Sequence, residues 1–157
     1  MAQALRRRIY TDTSVVGGCL DEEFSLYSIQ LFDRFRAGLD ILILSDLTLA
    51  ELGGAPPQVR EVLQTIPQGT LEEVTFDEEA SALAEEYLAA GVIGATHLED
   101  ARHIATATVQ RVDILVSWNF KHIVNLDRIR GYNSINLRLG YTLLEIRSPQ
   151  EVLRYEE

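Results

Sequence analysis

Residues 96–122, THLEDARHIATATVQRVDILVSWNFKH, decide how this 157-residue chain is read. The stretch parses into a helix, a two-residue joint, a buried strand and a polar turn just past the strand's carboxyl end. Thr96 is placed to cap the helix, and Glu99, three residues on, to close a capping box. That leaves Asp100 in the first turn, where the helix dipole tolerates an anion but no cap requires one. Leu98, Ala101, Ala105 and Thr108 recur at helical spacing as a narrow face of mostly small side chains, which permits close approach to a sheet. Residues 113–117 carry an unbroken Ile-Leu-Val run, the pattern of a strand covered on both faces. Trp118-Asn119-Phe120-Lys121-His122 follows, in the position that lines the ligand crevice of an open parallel sheet.

Toward the amino terminus, residues 8–11 read as a first strand, followed at once by Asp12-Thr13-Ser14. Asp12 therefore falls at the carboxyl edge of a sheet, although an N-cap accounts for it equally well. Gly17-Gly18 is expected to loosen the backbone, and residues 24–37 form a helix ended by Gly38. A second apolar strand covers 40–45. Ser45 or Asp46 caps the next helix, which carries Leu47, Leu49, Ala50, Glu51 and Leu52 before Gly53-Gly54 and Pro56-Pro57 break it. Glu51 lies among apolar neighbours beyond the reach of a cap. Buried there, it needs a partner; facing solvent, it means nothing.

Residues 58–66 read as a short helix and 71–76 as a strand whose Glu72-Glu73 pair suggests an edge or an irregular loop. An amphipathic helix covers 77–90, with Gly91 just past its end. Helical spacing over 123–139 is interrupted at Gly131-Tyr132-Asn133; a last strand is expected over 142–147 and a short helix over 149–155. Strands alternating with helices imply right-handed crossovers and a three-layer α/β/α arrangement around a mainly parallel sheet. With no internal repeat, low-complexity tract or dividing linker, residues 1–157 are expected to form one domain.

A hydrophobic fraction of 46% with 24% charged residues fits a globular protein. No run approaches the roughly 18 apolar residues of a membrane span, and no apolar segment follows Arg6-Arg7-Arg8 as a signal peptide requires. The single Cys19 allows no internal disulfide and fits a reducing cytoplasm, with a packed or idle thiol as the expectation. A net charge of −10 disfavours long-range attraction to a polyanion and suits a basic protein partner. Binding of nucleic acid by such a chain must rest on a local basic patch or on metal ions.

Asp12, Glu51 and Asp100 then need a common explanation, because a wound sheet can bring all three to one carboxyl edge. Clustered acids repel one another and raise their own pKa values unless a cation neutralises them. Oxygen ligands with no matching His or Cys set point to Mg2+ or Mn2+.

Four segments in order carry a resemblance: Ile9-Tyr10-Thr11-Asp12-Thr13-Ser14, Leu49-Ala50-Glu51-Leu52, Glu99-Asp100-Ala101-Arg102-His103-Ile104-Ala105, and Leu115-Val116-Ser117-Trp118-Asn119-Phe120-Lys121-His122. Together they resemble the PIN-domain family and, within it, toxin nucleases of VapC type. The resemblance implies a PIN-like fold and a metal-dependent ribonuclease whose products carry 5′-phosphate and 3′-hydroxyl groups. It also implies RNA as substrate, a cognate antitoxin protein, dimers as a common state and no membrane. By position Asp12, Glu51 and Asp100 match the family's leading acids as metal ligands and, with Asn119, as catalytic residues. Asn119 stands where many members have a further Asp. An amide still orients a water or offers one oxygen, yet it removes a negative charge and weakens binding of a second metal.

Thr13, Lys121, His122 and Arg102 are candidates for substrate contact, each with a local or solvated role as the alternative, whereas His103 reads as structural or as a carboxylate partner. Asn119 and the acidic balance also keep open a catalytically silent PIN-like module that binds RNA or protein. A phosphatase forming an aspartyl-phosphate is disfavoured, because Ser14 stands where such an enzyme has a second acid. Acids placed only as caps remain the plain alternative, which Glu51 resists.

Overall fold

The computed structural model describes residues 6–154. Five strands, β1 (Arg8–Thr11), β2 (Ile41–Ser45), β3 (Leu71–Val74), β4 (Ile114–Val116) and β5 (Ile146–Arg147), pair in parallel in the order β3-β2-β1-β4-β5. Eight helices surround them: α1 (Thr13–Gly18), α2 (Ser25–Arg36), α3 (Asp46–Leu52), α4 (Pro57–Gln64), α5 (Glu78–Ala89), α6 (Leu98–Val109), α7 (Leu126–Arg138) and α8 (Pro149–Arg154). The expected last residue of α8, Tyr155, lies outside the described residues. The architecture is the three-layer α/β/α arrangement expected from the alternation of apolar runs and amphipathic segments.

Successive strand side chains point to opposite faces, so the sheet builds two cores. Tyr10, Ile43, Leu115 and Ile146 face α5, α6 and α7, where they meet Leu83, Tyr87, Ile104 and Tyr132. Ile9, Leu42, Leu44 and Val116 face the other way, against Val15 and Val16 of α1, Leu31, Phe32 and Phe35 of α2, and Val152 of α8. Strand β3 lies at an edge, which explains its exposed Glu72 and Glu73.

Five local expectations are corrected. The capping box at residues 96–99 does not form: Ala95–His97 is a 3-10 turn, so His97 and not Thr96 occupies the cap position, without a side-chain hydrogen bond. Glu99 turns outward and pairs with Arg102 at 2.7 Å. Helix α6 is also buried far beyond a narrow stripe, and its Thr106 and Thr108 hydroxyls donate back to the carbonyls of Arg102 and Ile104.

Helix α7 runs unbroken through Gly131-Tyr132-Asn133. A Cβ on Gly131 would stand 2.7 Å from Val92 Cγ1, so this glycine permits close packing of the helix. The Asn133 side chain accepts from Leu144 N at 2.8 Å and donates to Leu144 O at 3.1 Å. With both backbone groups of Leu144 satisfied in that way, the expected strand over 142–147 shrinks to β5.

Gly17-Gly18 does not loosen the chain but lies within α1. A Cβ on Gly18 would meet Ser28 Oγ at 2.5 Å and Trp118 Nε1 at 2.9 Å, where the indole donates to Ser28 Oγ at 2.8 Å. Gly18→Ala is therefore expected to destabilise the protein by about 1–3 kcal/mol through overpacking. Denaturant unfolding followed by the fluorescence of the single Trp118 measures this, and an unchanged midpoint would contradict the close approach.

Candidate active site

The strand order reverses between β1 and β4, which are hydrogen-bonded neighbours with Thr11 opposite Val116. In an open wound sheet the gap beyond the carboxyl ends at such a reversal is where ligands enter. A cleft of about 380 Å³ lies there. It is lined by Asp12, Thr13 and Ser14 after β1, Glu51 from α3, Glu99, Asp100 and His103 from α6, and Asn119 after β4.

Asp12 is the N-cap of α1 and is 5% exposed. Its Oδ1 accepts from Ser14 Oγ at 2.6 Å and Val15 N at 3.3 Å, and its Oδ2 from Ser117 Oγ at 2.6 Å. Capping thus accounts for one contact, while the remaining two come from hydroxyls, one of them on the adjacent strand's exit. Burial pushes the Asp12 carboxyl above its ordinary pKa, against the opposing pull of His103, Ser117 and Ser14.

Glu51 is 36% exposed, so burial does not demand its partners, yet both of its oxygens have one. His103 Nε2 lies 2.8 Å from its Oε1 and Thr13 Oγ1 donates to its Oε2 at 2.5 Å. Behind it, His103 Nδ1 stands 2.6 Å from Tyr10 Oη, which in turn is 2.7 Å from Ser45 Oγ. Burial works against charge on both partners. For Glu51 the His103 and Thr13 hydrogen bonds outweigh it and lower the carboxyl pKa; for His103 the Glu51 hydrogen bond and the charges of Asp12, Glu51 and Asp100 raise the imidazole's. Each shift favours the charged form of its group, so the two directions reinforce one another.

Asp100 has a raised pKa, chiefly from burial, opposed by His122, His103, His97 and the Asn119 amide. Asn119 Nδ2 donates to Asp100 Oδ2 at 3.3 Å, while its Oδ1 accepts from the backbone N–H groups of Lys121 and His122. A carboxylate at position 119 could make the second set of contacts but not the first.

The structure thus brings Asp12, Glu51, Asp100, Asn119 and Thr13 to one cleft. Arg102 is not among its walls; it pairs with Glu99 and covers the Phe76 ring at 5.4 Å. Lys121 lines a separate cavity, and His122 is 9% exposed with its ring stacked on His97 at 3.6 Å. The sequence does not reveal Ser14 and Ser117 as partners of Asp12, nor Tyr10 as the partner of His103. The only signal for Ser117 was its place at the exit of the strand beside Asp12, which strand order alone supplies.

Both ring nitrogens of His103 are committed, so the groups able to face a cation in the cleft are oxygens. Among the described residues no three His, Cys, Asp or Glu side chains converge closely enough to hold a metal ion by themselves.

No protein-family profile matches the sequence, and no curated protein matches it either. Solved structures do. VapBC2 of Rickettsia felis bound to a promoter DNA fragment superposes with a TM-score of 0.57 at 14% identity, over 90% of this chain and 98% of that one. FitAcB of Neisseria gonorrhoeae gives 0.56 at 16% identity with the same coverage. DNA-bound VapBC of Salmonella typhimurium gives 0.55 at 17%, over 91% and 98%. The VapC20 toxin of Mycobacterium tuberculosis, which cleaves the sarcin-ricin loop, gives 0.51 at 15%, over 68% and 86%. The chain has the PIN-like fold of VapC-type toxins.

The Glu51–His103 pair sets a pH signature. Its lowered Glu51 pKa adds stability above the ordinary glutamate range, lost on acidification; the raised His103 pKa adds stability below the ordinary histidine range, lost as pH climbs through the raised value. The thermal midpoint of the native protein minus that of His103→Gln is therefore expected to peak in the weakly acidic to neutral range and to shrink on both sides. A difference independent of pH would show that no ion pair forms.

Proposed function

We propose that the chain is a divalent-metal-dependent ribonuclease that hydrolyses RNA phosphodiester bonds in this cleft, acting in the cytoplasm as the toxin of a toxin–antitoxin pair. The observation that carries this reading is the meeting of Asp12, Glu51, Asp100 and Asn119 at the strand-order reversal of a VapC-type fold. The donor set fits Mg2+ or Mn2+. Its ligands are oxygens, and burial holds the Asp12 and Asp100 carboxyls above their ordinary pKa values, which a bound cation would reverse; with no three acids converged, such an ion would keep much of its water. Asp12 and Asp100 would hold the ion, with Glu51 at its side.

Bound there, the ion would supply Lewis acidity and a water of lowered pKa. The protein's own groups do the rest. Asp12 is fixed by Ser14, Ser117 and Val15, so no reorganisation accompanies ligand binding. Glu51, kept ionised by His103 and Thr13, is placed to orient an attacking water and to take its proton. Asn119 fixes Asp100. Water adds to phosphorus, the bond to the 3′-oxygen breaks, and that oxygen takes a proton from solvent water to leave as a hydroxyl, with the phosphate retained on the 5′ side.

The antitoxin assignment is supported by the VapBC assemblies among the structural neighbours and by the net charge of −10, which suits a basic partner. Among the described residues no helix is long and apolar enough to cross a membrane. A second reading, a silent RNA- or protein-binding module, is favoured by the amide at Asn119.

Cleavage of mixed single-stranded RNA with Mn2+ or Mg2+ decides between them. Asp12→Asn and Asp100→Asn are each expected to cut cleavage by about a hundredfold or more, and Mn2+ is expected to raise the thermal midpoint of the native protein but not of Asp100→Asn. No metal-dependent cleavage together with no shift would sink the enzyme reading and leave the silent module. Asn119→Asp is expected to lower the metal-free midpoint, because a carboxylate would face Asp100, and to need less Mn2+ for half of the midpoint shift. An unchanged Mn2+ requirement would contradict the charge account of Asn119.

A further inference from the structure

The turn after β4 serves two cavities: Asn119 lines the acidic cleft, and Lys121 lines a second one of about 390 Å³. The second lies between the Gly91-Val92 turn and the start of α7, with Lys121, Arg128, Asn125 and Asp127 as its polar walls. Arg128 donates through Nη1 to the carbonyl of Val92, which pins the stem of the guanidinium while the other nitrogens make no hydrogen bond or ion pair among the described residues. Lys121 makes no ion pair there either, and Asp127, in the same wall, offsets part of their charge without an ion pair to either cation. In a chain of net charge −10, two unpaired cations in one cavity stand out. Gly91, at φ 74°, and Gly131 add no side chains to its walls.

One turn joins the two cavities: Asn119 Oδ1 accepts from the backbone N–H groups of Lys121 and His122. Only Phe120 separates Asn119 from Lys121, which limits their Cα atoms to roughly 7 Å apart.

We propose that the Lys121–Arg128 cavity binds a backbone phosphate of single-stranded RNA adjacent to the phosphodiester held in the acidic cleft. The assignment rests on the ribonuclease reading for its direction, but its binding test does not. A cation paired with phosphate releases condensed counterions, so each contact adds about 0.7 to the slope of log affinity against log salt on a single strand. Lys121→Gln and Arg128→Gln should each remove one such unit.

The test is fluorescence anisotropy of a labelled eight-nucleotide RNA in EDTA with the full chain, titrated from 50 to 200 mM salt, with the exposed Arg60→Gln as control. The expected result is that native protein and Arg60→Gln lose about threefold more affinity over that range than either cavity variant. Arg128→Lys, which keeps the charge, retains the native slope and guards against a folding artefact of losing the Val92 contact. With Mn2+, Lys121→Gln raises KM and leaves kcat near native, as removal of uniform binding does. Equal slopes for the native protein and Lys121→Gln, or no RNA binding by the native protein, would overturn the proposal. Asp100→Asn should lose cleavage while keeping the native salt slope; cleavage failing throughout with the slopes still distinct would overturn the nuclease reading and leave this phosphate site standing.

Discussion

A carboxylate taken out of water at the carboxyl end of β1 is the constraint from which the functional end of the molecule follows. Asp12 makes no ion pair; it is held by two serine hydroxyls and one backbone N–H, with the His103 ring near enough to act on its charge. The opposite end of the sheet shows the other solution. Asp40, entering β2 and 1% exposed, is gripped by Arg7 through both oxygens and by Arg34 at 2.7 Å. Burial also acts against its charge, but the two guanidinium groups prevail and hold Asp40 below the ordinary carboxylate range, whereas Asp12 is lifted above it. Two buried aspartates in one sheet thus differ by the partners that their elements supply: a satisfied ion pair for Asp40, and for Asp12 a cradle of hydroxyl and backbone donors that leaves burial the larger effect.

The rest of the cleft depends on how closely α6 lies on the sheet. Ala101, Ala105 and Ala107 are fully buried, and these small side chains bring the helix near enough for His103 to reach Tyr10 on β1 and Glu51 on α3 at once. Asp100, one turn earlier on the same helix, then falls opposite Asn119. The histidine has no free nitrogen with which to act on a ligand. Its effect is exerted through Glu51, whose charge and direction it fixes from the protein interior. An oxygen-rich cleft with its only nitrogen ligand locked away is selective in its donors before any ion arrives.

Much of this was legible in the sequence because the fold's demands are periodic. Apolar runs at strand length, separated by amphipathic helices, imply a wound parallel sheet, and acids just past strand ends or in helix first turns then fall on its carboxyl edge. What escaped was set by tertiary contact. Gly18 and Gly131 look like breakers in a linear reading, yet each is needed where a helix touches Trp118 or Val92. Asn133 looks like a loop residue and instead clamps Leu144 from within a helix, shortening the strand that the Leu-Leu-Glu-Ile run suggested. Thr96 and Glu99 have capping-box spacing, but the 3-10 turn moves the helix start past Thr96. Lys121 and Arg102 carry charges that no pattern could assign to one side of a turn or the other.

The acidic balance and the nature of the cleft bear on one another. Under the proposed reading, a protein of net charge −10 approaches RNA without electrostatic assistance, so its encounter rate lacks the steering that basic nucleases enjoy. Binding must then come from contacts at close range, where a divalent ion in the cleft and the few unpaired cations nearby act within a Debye length of about 8 Å at physiological salt. The same net charge suits a basic protein partner, but that attraction is screened over the same length, so either partner is selected by the contacts it makes at close range.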